Sequence, residues 1–157
     1  MNDKKYLVAY FSLSGNTKSV AEKIADCKNA DLFEIKPVEE YPTDYTTVVN
    51  IAKKEKNNDY QPDLVDYGDV SDYDVIFIGT PVWWYTMAQV VKAYVLHNDF
   101  LGKIIVPFCT HGGGGASSTY SDLQKYASDA TILNGLTVYG DAASLEDVQS
   151  WIRKLNI

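Results

Sequence analysis

Residues 6–17 read Tyr6-Leu7-Val8-Ala9-Tyr10-Phe11-Ser12-Leu13-Ser14-Gly15-Asn16-Thr17. Six apolar or aromatic residues in a row give way at once to small polar residues around a glycine. An unbroken apolar run of this length describes a strand covered on both faces, as in a parallel sheet. Beyond Asn16, the residues Val20, Ala21, Ile24 and Ala25 fall on one helical stripe. The segment therefore reads as strand, tight turn, helix.

The same pattern recurs along the chain. Val75 to Gly79 and Ile104 to Cys109 are further continuous apolar runs, each followed by a Gly- or Pro-bearing turn and a helix-like stretch. Val90, Val91, Tyr94 and Val95 form the apolar stripe of one such helix. Leu145, Val148, Ile152 and Leu155 form that of the last, with Ser144 and Asp147 as its capping box. Leu32 to Lys36 alternates and reads as an edge strand with one half-exposed face, and Leu136 to Tyr139 is a weaker candidate for the opposite edge. Strand–helix alternation throughout implies an α/β fold with a five-stranded parallel sheet and right-handed crossovers. Pro107 lies inside a predicted central strand, where it removes a ladder donor. A local irregularity is expected there, or a donor position that needs no partner.

The 157 residues fit one domain spanning 1–157, and 46% hydrophobic with 22% charged residues is an ordinary globular composition. A net charge of −7 argues against nucleic-acid binding, which needs clustered Lys and Arg. The same acidity suits docking onto basic partners, or simply keeps the protein soluble. Cys27 and Cys109 fall on different elements without metal-ligand spacing, so free buried thiols are expected. The opening Met-Asn-Asp-Lys-Lys runs straight into a strand, too short for a signal sequence, and no stretch reaches the ~20 apolar residues of a membrane span. A cytoplasmic location away from membranes is the expectation. The long connection from Pro37 to Asp74, with a helix-like stretch from Tyr45 to Lys56, reads either as surface decoration or as a flap beside a ligand.

The turn Ser12-Leu13-Ser14-Gly15-Asn16-Thr17 brings backbone amides and three hydroxyls to a helix N-terminus. Such a place holds a phosphate without any cation, although an ordinary capped turn favours the same residues. It lacks the Gly-x-x-x-x-Gly-Lys-Ser/Thr pattern of Mg-ATP proteins. Neither it nor the later run Gly112 to Gly115 matches Gly-x-Gly-x-x-Gly, which disfavours NAD held in a Rossmann manner.

Ser-x-Ser-Gly-Asn-Thr after an opening strand closely resembles the FMN-phosphate loop of flavodoxins, and the resemblance covers essentially the whole chain. It implies a flavodoxin-like three-layer sandwich, strand order 2-1-3-4-5 with helices on both faces, and FMN outside the carboxyl ends of strands one, three and four. Carried onto this sequence, Ser12, Ser14, Gly15, Asn16 and Thr17 would take the phosphate. Thr80, Pro81, Val82, Trp83 and Trp84, leading to Tyr85, would form an aromatic loop for the flat flavin, or merely cover the sheet end. Thr110, His111, Gly112, Gly113, Gly114 and Gly115 would lay side-chain-free backbone against the ring, or form a flexible linker. His111 is either a donor to the flavin or a surface residue, and His97 is structural or solvated. The Asp-x-x-x-Tyr pattern common in flavodoxins is replaced by this glycine run and Ser117-Ser118-Thr119-Tyr120, which together with Pro-x-Trp looks like a divergent branch.

Three functions follow as expectations. The first is a low-potential electron carrier serving redox partner proteins or a small-molecule acceptor. The acidic surround would oppose extra negative charge on reduced flavin and so lower its potential. No nucleophile–base constellation appears near the glycine loops. The second is an NAD(P)H-dependent quinone or flavin reductase on the same fold. The third is a flavin-free interaction module. Fold alone does not separate them.

Overall fold

In the computed structural model, residues 3–157 are described; Met1 and Asn2, part of the opening segment considered above for a targeting signal, lie outside them. The elements run β1 (Tyr6–Tyr10), α1 (Asn16–Lys28), β2 (Asp31–Glu34), α2 (Tyr45–Asn57), β3 (Val75–Trp83), β4 (Thr86–Met87), α3 (Gln89–His97), β5 (Ile104–His111), α4 (Thr119–Tyr126), β6 (Thr131–Ile132), β7 (Leu136–Tyr139) and α5 (Leu145–Leu155).

The sheet order is β2-β1-β3-β5, followed at the far edge by β6 and β7, both parallel to β5. This is the expected 2-1-3-4-5 arrangement, with two corrections to the count of five strands. The fifth position is split into two short strands. In addition, β4 turns back antiparallel on the end of β3. The main strands also outrun their predicted ends. β3 continues past Gly79 to Trp83 and β5 past Cys109 to His111, because Thr80 and Pro81 pair with Cys109 and Thr110, while Thr110 and His111 pair with Val138 and Tyr139.

Both faces of the sheet are covered. Leu7, Ala9, Phe11, Ile76 and Ile78 pack with Val90, Val91, Tyr94 and Val95 of α3 and Leu123 of α4. The intervening Val8, Tyr10, Val75 and Phe77 pack with Val20, Ala21 and Ile24 of α1 and Val148 and Ile152 of α5. Alternate residues thus serve opposite cores, which is why the strands read as continuous apolar runs. The two layers are drawn tight between β3 and β5: a methyl on Gly79 would fall inside the Phe108 ring.

Pro107 sits opposite the gap between β6 and β7. Lys103 and Ile105 accept from Thr131 and Leu133, so residues two apart in β5 direct their polar groups to that edge, and Pro107 is next in the series. Residues 133–135 interrupt the edge strand there. Irregularity and dispensable donor coincide.

Smaller differences follow from burial. The edge strand is Asp31–Glu34, mostly exposed, and Ile35 is buried just beyond it. Leu145, at the first turn of α5, is exposed and drops out of its stripe, while the Ser144–Asp147 capping box forms. Cys109 is buried, Cys27 only partly so, and both are free thiols. His97 ends α3 on the surface, its ring 4.1 Å from that of Tyr67. Among the described residues, no helix is long and apolar enough to cross a membrane.

Candidate functional site

The carboxyl ends of β1, β3 and β5 open into a cleft of about 560 Å³, inside the roughly 300–1,000 Å³ range of small-molecule sites. One end is the turn after β1. Gly15, at φ 98, occupies the N-cap position of α1, and no side chain caps the helix. The first intrahelical bond is Ser19 N–H to Gly15 O, so the amides of Asn16, Thr17 and Lys18 have no helical partner. The first turn carries no acidic residue. Open amides at the positive end of a helix dipole suit an anion. Ser14, Asn16 and Thr17 line the cleft. Ser12 instead stands behind the turn, its Oγ accepting from Gly15 N–H at 3.1 Å. The Thr17 and Thr110 hydroxyls lie 2.8 Å apart, tying the turn to the end of β5.

The second wall is the β3–β4 hairpin. Val82 pairs with Met87 and Trp83 with Thr86, leaving Trp84 and Tyr85 as a two-residue turn. Both have positive φ, 54° and 73°, the signature of a type I′ turn that normally selects Asn-Gly. The turn is held from both sides. Trp84 Nε1–H donates to Val49 O at 2.9 Å and Lys56 Nζ donates to Trp84 O at 2.6 Å, both from α2. Ser118 N–H donates to Tyr85 O at 2.8 Å. Trp83 turns inward, edge-on to Phe11 and Tyr41 at 5.4 and 5.1 Å, while keeping contact with the cleft. Pro81, Val82 and Trp84 also line it; Thr80 does not. That residue is buried, its hydroxyl donating to Pro81 O and accepting from Ala88 N–H, and it pins the hairpin to the start of α3.

The third wall follows β5. Thr110, His111, Gly112, Gly114 and Gly115 face the cleft. Gly113 lies outside, against Tyr139. His111 Nδ1 accepts from Gly113 N–H at 3.0 Å and Gly115 N–H at 3.2 Å, so the glycine run wraps around the imidazole.

The sequence reading left other cleft residues out. Tyr45, Val48, Val49 and Ala52 of α2 form one wall, and Leu13, Tyr85, Ser117, Tyr139 and Gly140 complete the rim. Their spacing of i, i+3, i+4 and i+7 was the available signal for α2, an apolar stripe on a connection longer than any crossover needs. The Pro37–Asp74 connection is thus a wall of the cleft.

Of the residues lining the cleft, none carries a formal charge. Beneath it, burial raises the Cys109 thiol above its usual range despite hydrogen bonds from Tyr120 and Thr137, so it stays protonated and unreactive. Burial likewise raises Glu55, opposed by the Tyr41 hydroxyl that donates to it at 2.8 Å. Among the described residues no group of His, Cys, Asp or Glu could hold a metal ion. The cleft therefore offers uncharged donors for an anion at one end and aromatic and glycine surfaces for a flat ring system.

Comparison with known proteins gives the same architecture. A family model described as flavodoxin matches residues 5–155. A candidate flavoprotein from Bacteroides eggerthii DSM 20697 superposes with a TM-score of 0.88 at 27% identity, covering 99% of each chain. A flavoprotein in complex with FMN from Lactobacillus acidophilus NCFM gives 0.77 at 27% identity, over 98% of this chain and 99% of that one. Flavodoxin 2 from Bacillus cereus, at 17% identity and a TM-score of 0.61 over 97% of each chain, shares the fold.

Proposed function

This chain belongs to the flavodoxin family, and from that premise we propose that it binds FMN in the cleft and works as an electron carrier. FMN, when bound, supplies one- and two-electron chemistry, and the protein sets its potentials through stacking, burial and hydrogen bonds. The residues fit this group. Its phosphate goes to the open amides of Asn16, Thr17 and Lys18, with Ser14 and the Asn16 and Thr17 side chains beside them. Its ring system goes between the Trp83–Trp84 wall and the glycine loop.

One observation supports a carrier above all. The cleft is lined without a carboxylate, a cationic side chain or an ionised thiol, so no acid–base or nucleophilic step is built into it. The partners of such a carrier are redox proteins or a small-molecule acceptor meeting the exposed rim of Tyr45, Tyr85 and Tyr139.

The reductase reading has its own support in α2, which adds an aromatic and aliphatic wall that could enclose a second planar molecule. A visible spectrum of the purified protein tests the cofactor first: flavin bands in a one-to-one ratio with protein are expected, and their absence after FMN addition would leave the interaction module. Steady-state oxidation of NADH or NADPH by a quinone then separates the other two. A carrier gives rates near those of free FMN; rates far above them make the protein an enzyme.

A further inference from the structure

Four consecutive glycines are the costliest residues in a chain to order, yet the run Gly112–Gly115 has one defined shape. Gly113 and Gly115 take φ values of 135° and 73°, conformations that other residues rarely adopt. The side chain that fixes them is His111. A single atom, Nδ1, accepts from both of their amides.

An imidazole nitrogen that accepts two hydrogen bonds carries no proton. The ring in this shape is therefore neutral, with its proton on Nε2. A cationic ring or the opposite tautomer would place N–H against N–H and open the loop. Among the described residues Nε2 has no hydrogen-bond partner, and the ring lines the cleft. The elements around it bring Thr17 from α1, Pro81 from β3 and the Tyr139 ring from β7 at 5.4 Å, and none of these is charged.

The geometry points to His111 as a positioning residue with two separable tasks. Its unprotonated Nδ1 holds the glycine loop in the shape that meets the ligand, and its Nε2–H is the donor left for an acceptor atom on the flavin's edge. The second task rests on the FMN reading above; the first does not.

Nitrogen-15 spectra of the ring in the full-length protein, with and without FMN, address the tautomer directly. The Nε2–H form is expected, and a protonated Nδ1 would overturn the proposal without any variant being made. Two substitutions then divide the tasks. His111→Leu removes acceptor and donor together. His111→Asn keeps an acceptor near the place of Nδ1 but has no donor at the place of Nε2. Two lost hydrogen bonds correspond to about a 5- to 150-fold weaker FMN affinity for His111→Leu, with faster amide exchange at Gly113 and Gly115. His111→Asn restores most of both. The midpoint potential of bound flavin falls in both variants, because a donor to the flavin stabilises its electron-rich form. Leucine at wild-type affinity with unchanged glycine exchange overturns the strut, and an unchanged potential in the Asn variant overturns the donor. Failure of the wild type to take up FMN would strike the cofactor reading alone, since ring spectra and glycine exchange still decide the strut.

Discussion

Trp84 and Tyr85 occupy the two turn positions that a type I′ hairpin normally gives to residues without a bulky Cβ substituent. Left-handed backbone at such residues costs roughly 1–2 kcal/mol each, and it persists where the surroundings over-determine it. For Trp84 the surroundings are visible: its indole N–H and its carbonyl are both bonded to α2. Tyr85 is different, because its ring is 65% exposed and gains only Lys56 Nζ at 5.4 Å. Tyr85→Gly should therefore stabilise the fold by up to about 1 kcal/mol, the relieved strain less the entropy of a freer unfolded chain. If the ring serves the cleft, electron transfer to acceptors should slow in the same variant. Urea unfolding and stopped-flow reoxidation measure the two effects, and a loss of stability would show that the ring is structural. Asn16→Asp tests the opposite end of the cleft. A carboxylate beside a phosphate should weaken FMN by about 1–3 kcal/mol, roughly 5- to 150-fold in Kd. A fluorescence titration giving the wild-type value would remove the phosphate from that turn.

Among the elements, α2 matters most to the cleft and was hardest to assign. Its N-terminus is capped by Asp44, whose carboxylate accepts from the Thr47 hydroxyl at 2.6 Å and the Thr47 amide at 2.9 Å. These bonds, the side-chain one first, hold the Asp44 carboxyl below the usual carboxylate range. A lowered folded-state pKa means that protons bind the unfolded chain more readily. The cap's contribution is then complete above the ordinary carboxylate range and is lost as pH falls through the depressed value. Amide protection of Thr47 and Val48 should decline over that acid window, and Asp44→Asn should flatten the decline; equal pH profiles for both proteins would rule the cap out as its cause. The strands and α1, α3 and α5 were legible because each buries a continuous run or a full stripe, and period and burial agree. Thr80 was misplaced because it is polar and adjoins the aromatic loop, whereas its hydroxyl is spent on local backbone. The α2 wall was noticed but not assigned, since an apolar stripe shows that a face is covered and not what covers it. The antiparallel β4 escaped notice because Trp84-Tyr85 lacks the Asn-Gly signature of its turn.

At the scale of the molecule, the net charge of −7 and the uncharged cleft belong together. The acidic residues lie outside the lining, so they act on a bound anion only at long range, while the short-range attraction comes from amides, hydroxyls and the α1 dipole. Salt treats these two parts differently. The Debye length falls from about 30 Å at 0.01 M to about 8 Å at 0.15 M, which removes most of the distant repulsion. Hydrogen bonds at contact are little affected, and the dipole, acting within the first turn, is screened only in part. A phosphate site built from Lys and Arg loses affinity as salt rises, because its attraction is itself a charge pair. Here FMN affinity should stay level or tighten between those ionic strengths, and apo-protein titrations at constant pH would show it. A several-fold weakening would mean that a cation such as Lys18, next to the turn, carries the phosphate after all. The same experiment bears on the electron carrier's encounters: a partner guided by the acidic surface slows with salt even as the cofactor stays bound. Cofactor retention and partner association should thus respond to salt in opposite directions, because the fold keeps its charges off the cleft and spread over the remaining surface.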